Sequence, residues 1–360
     1  MARFNRINWF NLHPLLNESC EQLSGAFYKL KSSHDICNLL KVPYSYLIYY
    51  IYRMSPTQRY NQFKILKRRG GYRNIHAPCK SLKIVQRKLS QVLYAVYEAK
   101  FCVHGFAPSR SIITNAKAHV GKRFILNLDI KDFFSSINFG RVRGLFMAKP
   151  YELNPEVATI LAQIACFENQ LPQGSPCSPI ISNLICAKMD SELLRFSKLH
   201  KLFYTRYADD LTFSSDRKEV PSALVSSCES GISVSDELRV IIENNGFKIN
   251  ETKVRLADKK QRQEVTGLIV NKKVNVSRKY IRNVRATLHN WEKNGLESVT
   301  KTYFDKYVKK TTLPDKESAR FLDSLKGKIE FIGSVRGKND HLYKQLIRKF
   351  FDLRQSTKVP

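Results

Sequence analysis

The stretch Tyr204-Thr-Arg-Tyr-Ala-Asp-Asp-Leu-Thr-Phe213 decides how the rest of the chain is read. Two short runs, Leu202–Tyr207 and Leu211–Ser215, have strand character and flank a tight turn that carries adjacent acids, Asp209 and Asp210. Neighbouring carboxylates between apolar runs repel one another and lose hydration. A divalent cation relieves both costs, because carboxylate oxygens suit Mg²⁺. An isolated Asp-Asp pair would otherwise be a solvated hairpin tip. Upstream, the apolar strand Arg123–Asp129 ends on a third acid, Asp129. Placed beside the hairpin, three carboxylates can hold two metal ions about 3.5–4 Å apart, one activating an attacking hydroxyl and one stabilising a leaving pyrophosphate.

Composition narrows the partners. The 360 residues include 61 Lys and Arg against 31 Asp and Glu, a formal charge of +30. A folded chain so charged repels itself unless a polyanion neutralises it, and nucleic acid is the usual partner. One basic cluster comprises Lys64, Lys67, Arg68, Arg69, Arg73, Lys80, Lys83, Arg87 and Lys88. A second comprises Lys272, Lys273, Arg278, Lys279, Arg282 and Arg285. Half of the excess charge lies from Arg255 onward, interleaved with Tyr280, Trp291, Tyr303, Phe304 and Tyr307. That pattern suits a groove that tracks a backbone and stacks bases, although aromatics so spaced also make ordinary cores. At 43% hydrophobic residues the chain has material for a core. Its longest apolar stretches, Tyr46–Tyr52 and Val157–Phe167, fall short of the ~20 residues a bilayer demands. No signal peptide is read at the N-terminus. The eight cysteines are scattered singly and read as reduced residues of a cytoplasmic protein. The membrane, secreted and zinc-finger classes are set aside.

Periodicity gives a coarse map. Helices are expected over Leu15–Leu30, His34–Leu40 and Tyr44–Tyr52, then a hairpin of Gln62–Lys67 and Tyr72–His76 joined through Gly70-Gly71. An amphipathic helix follows Pro78, with Leu82, Val85, Leu89, Val92 and Val96 on one face. Further helices are expected over Pro155–Phe167, Pro179–Ser197 and Asp236–Asn245. Glu264–Val270 and Lys273–Val276 read as a second hairpin, and the chain from Arg278 as helical, with breaks at Asn294-Gly295 and Gly333. Strands and helices mix without βαβ regularity, which makes the class α+β.

The Tyr207-Ala-Asp-Asp210 turn, Asp129 with the Phe133-Phe134 pair, and Leu171-Pro-Gln-Gly-Ser-Pro-Cys-Ser-Pro179 resemble, in order, the signature motifs of reverse transcriptases. The resemblance runs from about Phe63 to about Val276. It implies a right-hand polymerase fold of fingers, palm (an antiparallel sheet plus helices) and a small helical thumb. The expected divisions are an N-terminal helical extension (1–55), fingers (56–122, with a further segment near 140–180), palm (123–263), and palm-thumb hairpin with basic thumb (264–360). It implies that Asp129, Asp209 and Asp210 are catalytic and, with the Ile130 backbone carbonyl, hold two Mg²⁺ ions, Mn²⁺ being a substitute. Phe134 matches the aromatic gate against a 2′-OH, with Phe133 pointing the opposite way if the segment stays extended. Gln173 matches the glutamine beside the incoming dNTP, and Lys67 and Arg73 match residues gripping its triphosphate. Gly246-Phe-Lys-Ile-Asn-Glu-Thr-Lys253 resembles the next motif, in which either Lys253 or Lys248 acts near the pyrophosphate.

Asn115-Ala-Lys-Ala-His119 and Val265-Thr-Gly267, placed around the polymerase motifs, resemble two motifs of retron reverse transcriptases, and His104-Gly-Phe106 and Ser111-Ile112 fit the same pattern. No RNase H domain is expected after Val276. The resemblance implies binding of a cognate structured non-coding RNA as template and primer, priming from the 2′-OH of an internal guanosine, and a branched single-stranded DNA product (msDNA). It further implies a defence complex restraining an effector protein encoded nearby, in a possible higher-order oligomer. Asn115, His119, Val265, Thr266 and Gly267 are the expected RNA contacts, together with Lys272, Lys273, Arg278, Lys279, Arg282 and Arg285. The competing readings are another bacterial reverse transcriptase (abortive-infection or CRISPR-associated) and a non-catalytic RNA-binding scaffold.

Overall fold

Capping residues place the N-terminal helices in this computed structural model, which describes residues 13, 15–67, 70–228, 231–307 and 317–356. Ser19 forms a capping box with Gln22, so α1 (Cys20–Phe27) starts later than the apolar run from Leu15 suggests. Ser32 and Asp35 do the same for α2 (Ser33–Leu40). Helix α3 (Tyr44–Ile48) runs into a π-helical turn over Tyr49–Arg53, and α4 (Pro56–Arg59) leads into β1 (Tyr60–Leu66). Strand β2 (Tyr72–Pro78) returns antiparallel, pairing Ile65 with Arg73. Helix α5 (Lys80–Ala95) buries Leu82, Val85, Leu89 and Val92, the face its periodicity marks.

Next come α6 (Ile112–Lys117), β3 (Phe124–Asp129), α7 (Phe139–Met147), α8 (Pro155–Ala165) and α9 (Ser178–Leu199). Asn138 and Asn154 cap α7 and α8. Strands β4 (Phe203–Tyr207) and β5 (Asp210–Ser215) form the acidic hairpin, and β6 (Val225–Cys228) pairs with β7 (Gly231–Val234). The chain closes with α10 (Asp236–Asn244), β8 (Arg255–Asp258), β9 (Glu264–Val265), β10 (Leu268–Ile269), α11 (Arg278–Tyr307), α12 (Glu317–Arg336) and α13 (His341–Ser356). The central sheet has the order β4-β5-β3-β8. Helices mixed with a hairpin-built sheet make the α+β class expected.

The chain divides into two compact units. The first holds Met1–Ser111 and Leu126–Leu256. Its core gathers Phe146, Leu161, Ile181, Leu193, Leu211 and Phe213, with α9 buried along most of its length. The second holds Ile112–Ile125 and Ala257–Pro360. There Trp291 of α11 meets Phe321 of α12 at 6.3 Å and Phe350 of α13 at 5.7 Å, both edge-on.

Three expectations are corrected. The second hairpin turns at Thr266-Gly267, because Val265 pairs with Leu268 and both turn residues have positive φ (46° and 82°), as a two-residue hairpin turn requires. Lys273–Val276 adds only a bridge from Asn275 to Ile269. Gly295 does interrupt α11, at φ 78°. Gly333 does not interrupt α12; a Cβ there would lie 2.6 Å from Tyr343 Cδ2, so this glycine lets α13 approach. The segment after Asp129 is not extended, since Asp132 takes φ 50° and the chain turns through Phe133-Phe134. Cys37, Cys102, Cys166, Cys177 and Cys186 are free and buried, Cys79 is free and half-buried, and Cys20 is free and exposed. No helix among the described residues is long and apolar enough to cross a membrane.

Candidate active site

Sheet order brings the three acids together. Strand β3 ends on Asp129, and the next residue, Ile130, donates its N–H to the Asp209 carbonyl at 3.0 Å. Tyr207 pairs with Asp210 across a turn made of Ala208 and Asp209, in which Ala208 takes φ 56°. Asp129 is buried, and Asp209 and Asp210 are half-buried. Burial first, and then the neighbouring acids, push the Asp210 carboxyl up to about 7, against the pull of Lys253 and Arg255. Burial and the Asp129 charge push Asp209 up as well.

Lys253 supplies the counter-charge. Its Nζ donates to both carboxylate oxygens of Asp129, at 2.8 and 2.7 Å. Asn250 adds its Nδ2 at 3.2 Å to Asp129 Oδ1 and its backbone N–H at 2.8 Å to the Asp129 carbonyl. Between the two rival lysines, it is Lys253 whose ammonium reaches the acids. Lys248 is exposed, and its carbonyl accepts from Lys131 N–H at 2.8 Å. Arg141 pins the preceding turn, donating to the carbonyls of Asn245 (2.7 Å) and Gly246 (3.0 Å) while lying 4.4 Å over the Phe247 ring.

A divalent cation fits the chemistry of this donor set. Among the described residues no three His, Cys, Asp or Glu side chains converge on one point, and Asp129 is engaged by Lys253. The donors are nevertheless all oxygen, they sit at adjoining strand ends, and burial together with the neighbouring acids raises the Asp209 and Asp210 carboxyls. A cation bound at these acids would take over the role that Lys253 fills.

The β1–β2 hairpin and the Gln173 loop are joined beside this centre. The His76 N–H donates to the Gln173 carbonyl at 2.8 Å. Gly174 has φ 127°, and a Cβ there would lie 2.9 Å from the His76 carbonyl oxygen. Gln173 keeps a buried Oε1 with no partner among the described residues, an unused acceptor. Lys67 and Arg73 are exposed on either side of the glycine turn, and the Arg73 charge is felt at Asp209. Arg68 and Arg69 lie outside the described residues. Phe133 is buried against Phe247 at 5.8 Å, whereas Phe134 is half-buried, 5.2 Å from Phe133 and 6.3 Å from Phe106.

The expected RNA contacts divide into two groups. Lys272, Lys273, Arg278, Lys279, Arg282 and Arg285 are all exposed, and Lys273 lies 4.0 Å from Asp340. Asn115 and His119 are fully buried in the second unit, as is Val265. Their place is beneath the hairpin tip: α6 packs on β9 and β10, and Thr266 Oγ1 donates to the Ile112 carbonyl at 3.3 Å. The tip is Thr266, half-buried, and Gly267, exposed. Asn250 and Arg141 escaped the sequence reading. Asn250 stands inside the Gly246–Lys253 motif, which was its only signal.

Residues 65–270 match the family described as reverse transcriptase (RNA-dependent DNA polymerase). The chain is 33% identical over 301 residues to the retron Mx65 reverse transcriptase of Myxococcus xanthus, covering 78% of this chain and 67% of that one. It is 34% identical over 248 residues to the retron Ec86 reverse transcriptase of Escherichia coli, covering 68% and 70%. Among solved structures, telomerase from Candida albicans with a fragment of telomeric RNA overlaps 83% of this chain and 64% of its own, at 13% identity and a TM-score of 0.44.

Proposed function

The chain belongs to the retron branch of the reverse transcriptases and is an RNA-directed DNA polymerase of the right-hand fold, and from that premise we propose how it works. Asp129, Asp209, Asp210 and the Ile130 carbonyl hold two Mg²⁺ ions, or Mn²⁺ in their place. Such ions would supply a lowered pKa to an attacking hydroxyl and positive charge against a leaving pyrophosphate. The bond from Ile130 N–H to the Asp209 carbonyl carries this reading, because it fixes the third acid beside the other two.

The chain's own residues supply the rest. Lys67 and Arg73 grip the triphosphate, where positive charge offsets what builds up on the leaving group. Gln173 offers its unused Oε1 to the nucleotide, and Phe134 lies against the sugar and excludes a 2′-OH. Lys253, released from Asp129, donates a proton to the pyrophosphate. The β1–β2 hairpin serves as fingers (56–122, with a segment near 140–180), the β4-β5-β3-β8 sheet as palm (123–263), and residues 264–360 as palm-thumb hairpin and thumb. Helix α6 groups with the thumb residues although it falls in the fingers by sequence.

The template is a cognate structured RNA, and the primer is the 2′-OH of an internal guanosine within it, giving branched msDNA. Folded RNA is recognised through shape, phosphates and 2′-OH groups. The exposed Lys272, Lys273, Arg278, Lys279, Arg282 and Arg285 provide the phosphate contacts, and the Thr266-Gly267 tip approaches the priming RNA. The similarity to retron enzymes supports a cytoplasmic antiphage complex in which this assembly restrains an effector protein. The test is to express the protein with its native flanking sequence and extract the bound nucleic acid. A short DNA whose mobility changes on debranching supports 2′-OH priming. Unbranched DNA contradicts it.

A further inference from the structure

A buried charge network lies beneath the acidic turn. Arg206 is fully buried, and its partner Asp190 on α9 is 1% exposed. The guanidinium forks onto the carboxylate, Nε to Oδ1 at 2.9 Å and Nη2 to Oδ2 at 2.7 Å. Its remaining nitrogen, Nη1, donates to Asn183 Oδ1 at 3.0 Å and to the Ala208 carbonyl at 3.3 Å. The Tyr204 hydroxyl donates to Asp190 Oδ1 at 2.9 Å. Asn183 in turn donates to the Gly105 and Phe106 carbonyls, at 3.0 and 3.2 Å. Gly105 lies so close to the turn that a Cβ would fall 2.9 Å from the Tyr207 carbonyl carbon and nearer still to Ala208 N.

Stability alone does not account for this pair. Stripping two charges of water costs several kcal/mol per ion, and well-packed apolar residues of similar volume are often as stable or more so. An apolar substitute cannot donate to the Ala208 carbonyl. Ala208 is the residue that needs it: φ 56° lies in the left-handed region that side chains rarely adopt, and such backbone persists only where its surroundings fix it. The next two residues are Asp209 and Asp210.

We propose that Arg206, held by Asp190, is a positioning residue of the polymerase: it fixes the Tyr207–Asp210 turn in the one conformation that presents both acids beside Asp129. This rests on the reading of Asp209 and Asp210 as the catalytic pair. Arg206 touches neither substrate nor metal. Its effect is transmitted through the Ala208 carbonyl and the fit of Gly105 under the turn.

Truncating Arg206 alone would leave a buried carboxylate unpaired and risk unfolding. The test therefore removes the network as a unit, with Tyr204→Phe, Asp190→Leu and Arg206→Met together, and runs Arg206→Lys beside it. Arg206→Lys keeps the charge on Asp190 but cannot span Asp190, Asn183 and Ala208 at once. Four quantities are read: thermal midpoint, Mn²⁺ affinity without substrate, and kcat and KM for dNTP. The triple variant is expected to melt near wild type, to bind Mn²⁺ more weakly, and to lose about 10- to 100-fold in kcat with little change in KM, the scale set by misplacing reacting groups by about 1 Å. Arg206→Lys shows the same split, and it carries the test if the triple variant does not fold. A folded variant of either kind with wild-type Mn²⁺ affinity and kcat overturns the proposal. Asp209→Asn is assayed in parallel: if it polymerises normally, the underlying reading has failed instead.

Discussion

Lys253 holds both carboxylate oxygens of Asp129, at 2.8 and 2.7 Å, in the place where a cation is proposed to sit. The lysine side chain is 46% exposed and the aspartate 10%, so the pair is open on one side and can part without unfolding its surroundings. That opening is what the proposed proton donation by Lys253 requires.

Lys253→Ala is expected to lower kcat for dNTP incorporation by about 100-fold, the range of a lost general acid. RNA affinity should hardly change. Because only the lysine end of the pair is open to solvent and Asp129 would be left buried beside two more acids, metal-free stability should fall by about 1–3 kcal/mol. Steady-state kinetics and thermal melting check both parts; an unchanged kcat removes the proton-donor role.

The raised Asp210 carboxyl sets a pH dependence. Its folded pKa of about 7 lies above the ordinary 3.8, so the folded chain binds a proton that the unfolded chain has released. This group's contribution to stability is therefore fully present below about 4 and is lost as pH rises through about 7. Metal-free protein should lose thermal stability across that window, and Asp210→Asn should flatten the loss. Affinity for Mn²⁺ should move the opposite way, rising with pH until it levels above about 7. Melting curves across the window decide; identical slopes for the two proteins contradict the assignment.

Gly174→Ala tests the joint between hairpin and loop. The substitution forces a side chain onto φ 127° and into the His76 carbonyl. It should cost about 1–3 kcal/mol and raise the dNTP KM more than it lowers kcat, because Lys67, Arg73 and Gln173 are displaced together.

Phe134→Ala should relax sugar selection by about 100-fold, measured as relative kcat/KM for dNTP and rNTP. Phe133→Ala should instead destabilise the fold by about 3–5 kcal/mol, since that ring is buried against Phe247.

The exposed basic residues of α11 should act through phosphates. Replacing Lys279, Arg282 and Arg285 with Gln should weaken RNA binding and reduce the slope of log affinity against log salt by about 0.7–0.9 for each positive charge removed from a phosphate. An unchanged slope places the RNA elsewhere.

The acidic hairpin, the Asp129 strand and α5 were legible because each has an unambiguous period and a clear terminus. The Thr266-Gly267 turn was misplaced because Asn271-Lys272-Lys273 carries a stronger polar turn signal. In the fold Asn271 is engaged locally, accepting from Gln263 N–H at 3.0 Å and donating to the Gln261 carbonyl at 2.7 Å. The burial of Asn115 and His119 was not legible, because sequence does not distinguish a buried polar side chain from an exposed one. The Arg206–Asp190 pair was invisible for a related reason. Its members stand 16 positions apart, one on a helix and one on a strand, and only the packing of α9 on β4 joins them.

The most direct test of the three-acid centre is dNTP incorporation on an RNA template across a Mn²⁺ titration, for wild type and for Asp129→Asn, Asp209→Asn and Asp210→Asn. Each single variant is expected to lose at least about 1,000-fold in rate, roughly 4 kcal/mol of transition-state stabilisation, with weakened Mn²⁺ binding and an unchanged fold. If any one of the three polymerises at the wild-type rate with wild-type Mn²⁺ affinity, these acids do not form a single centre.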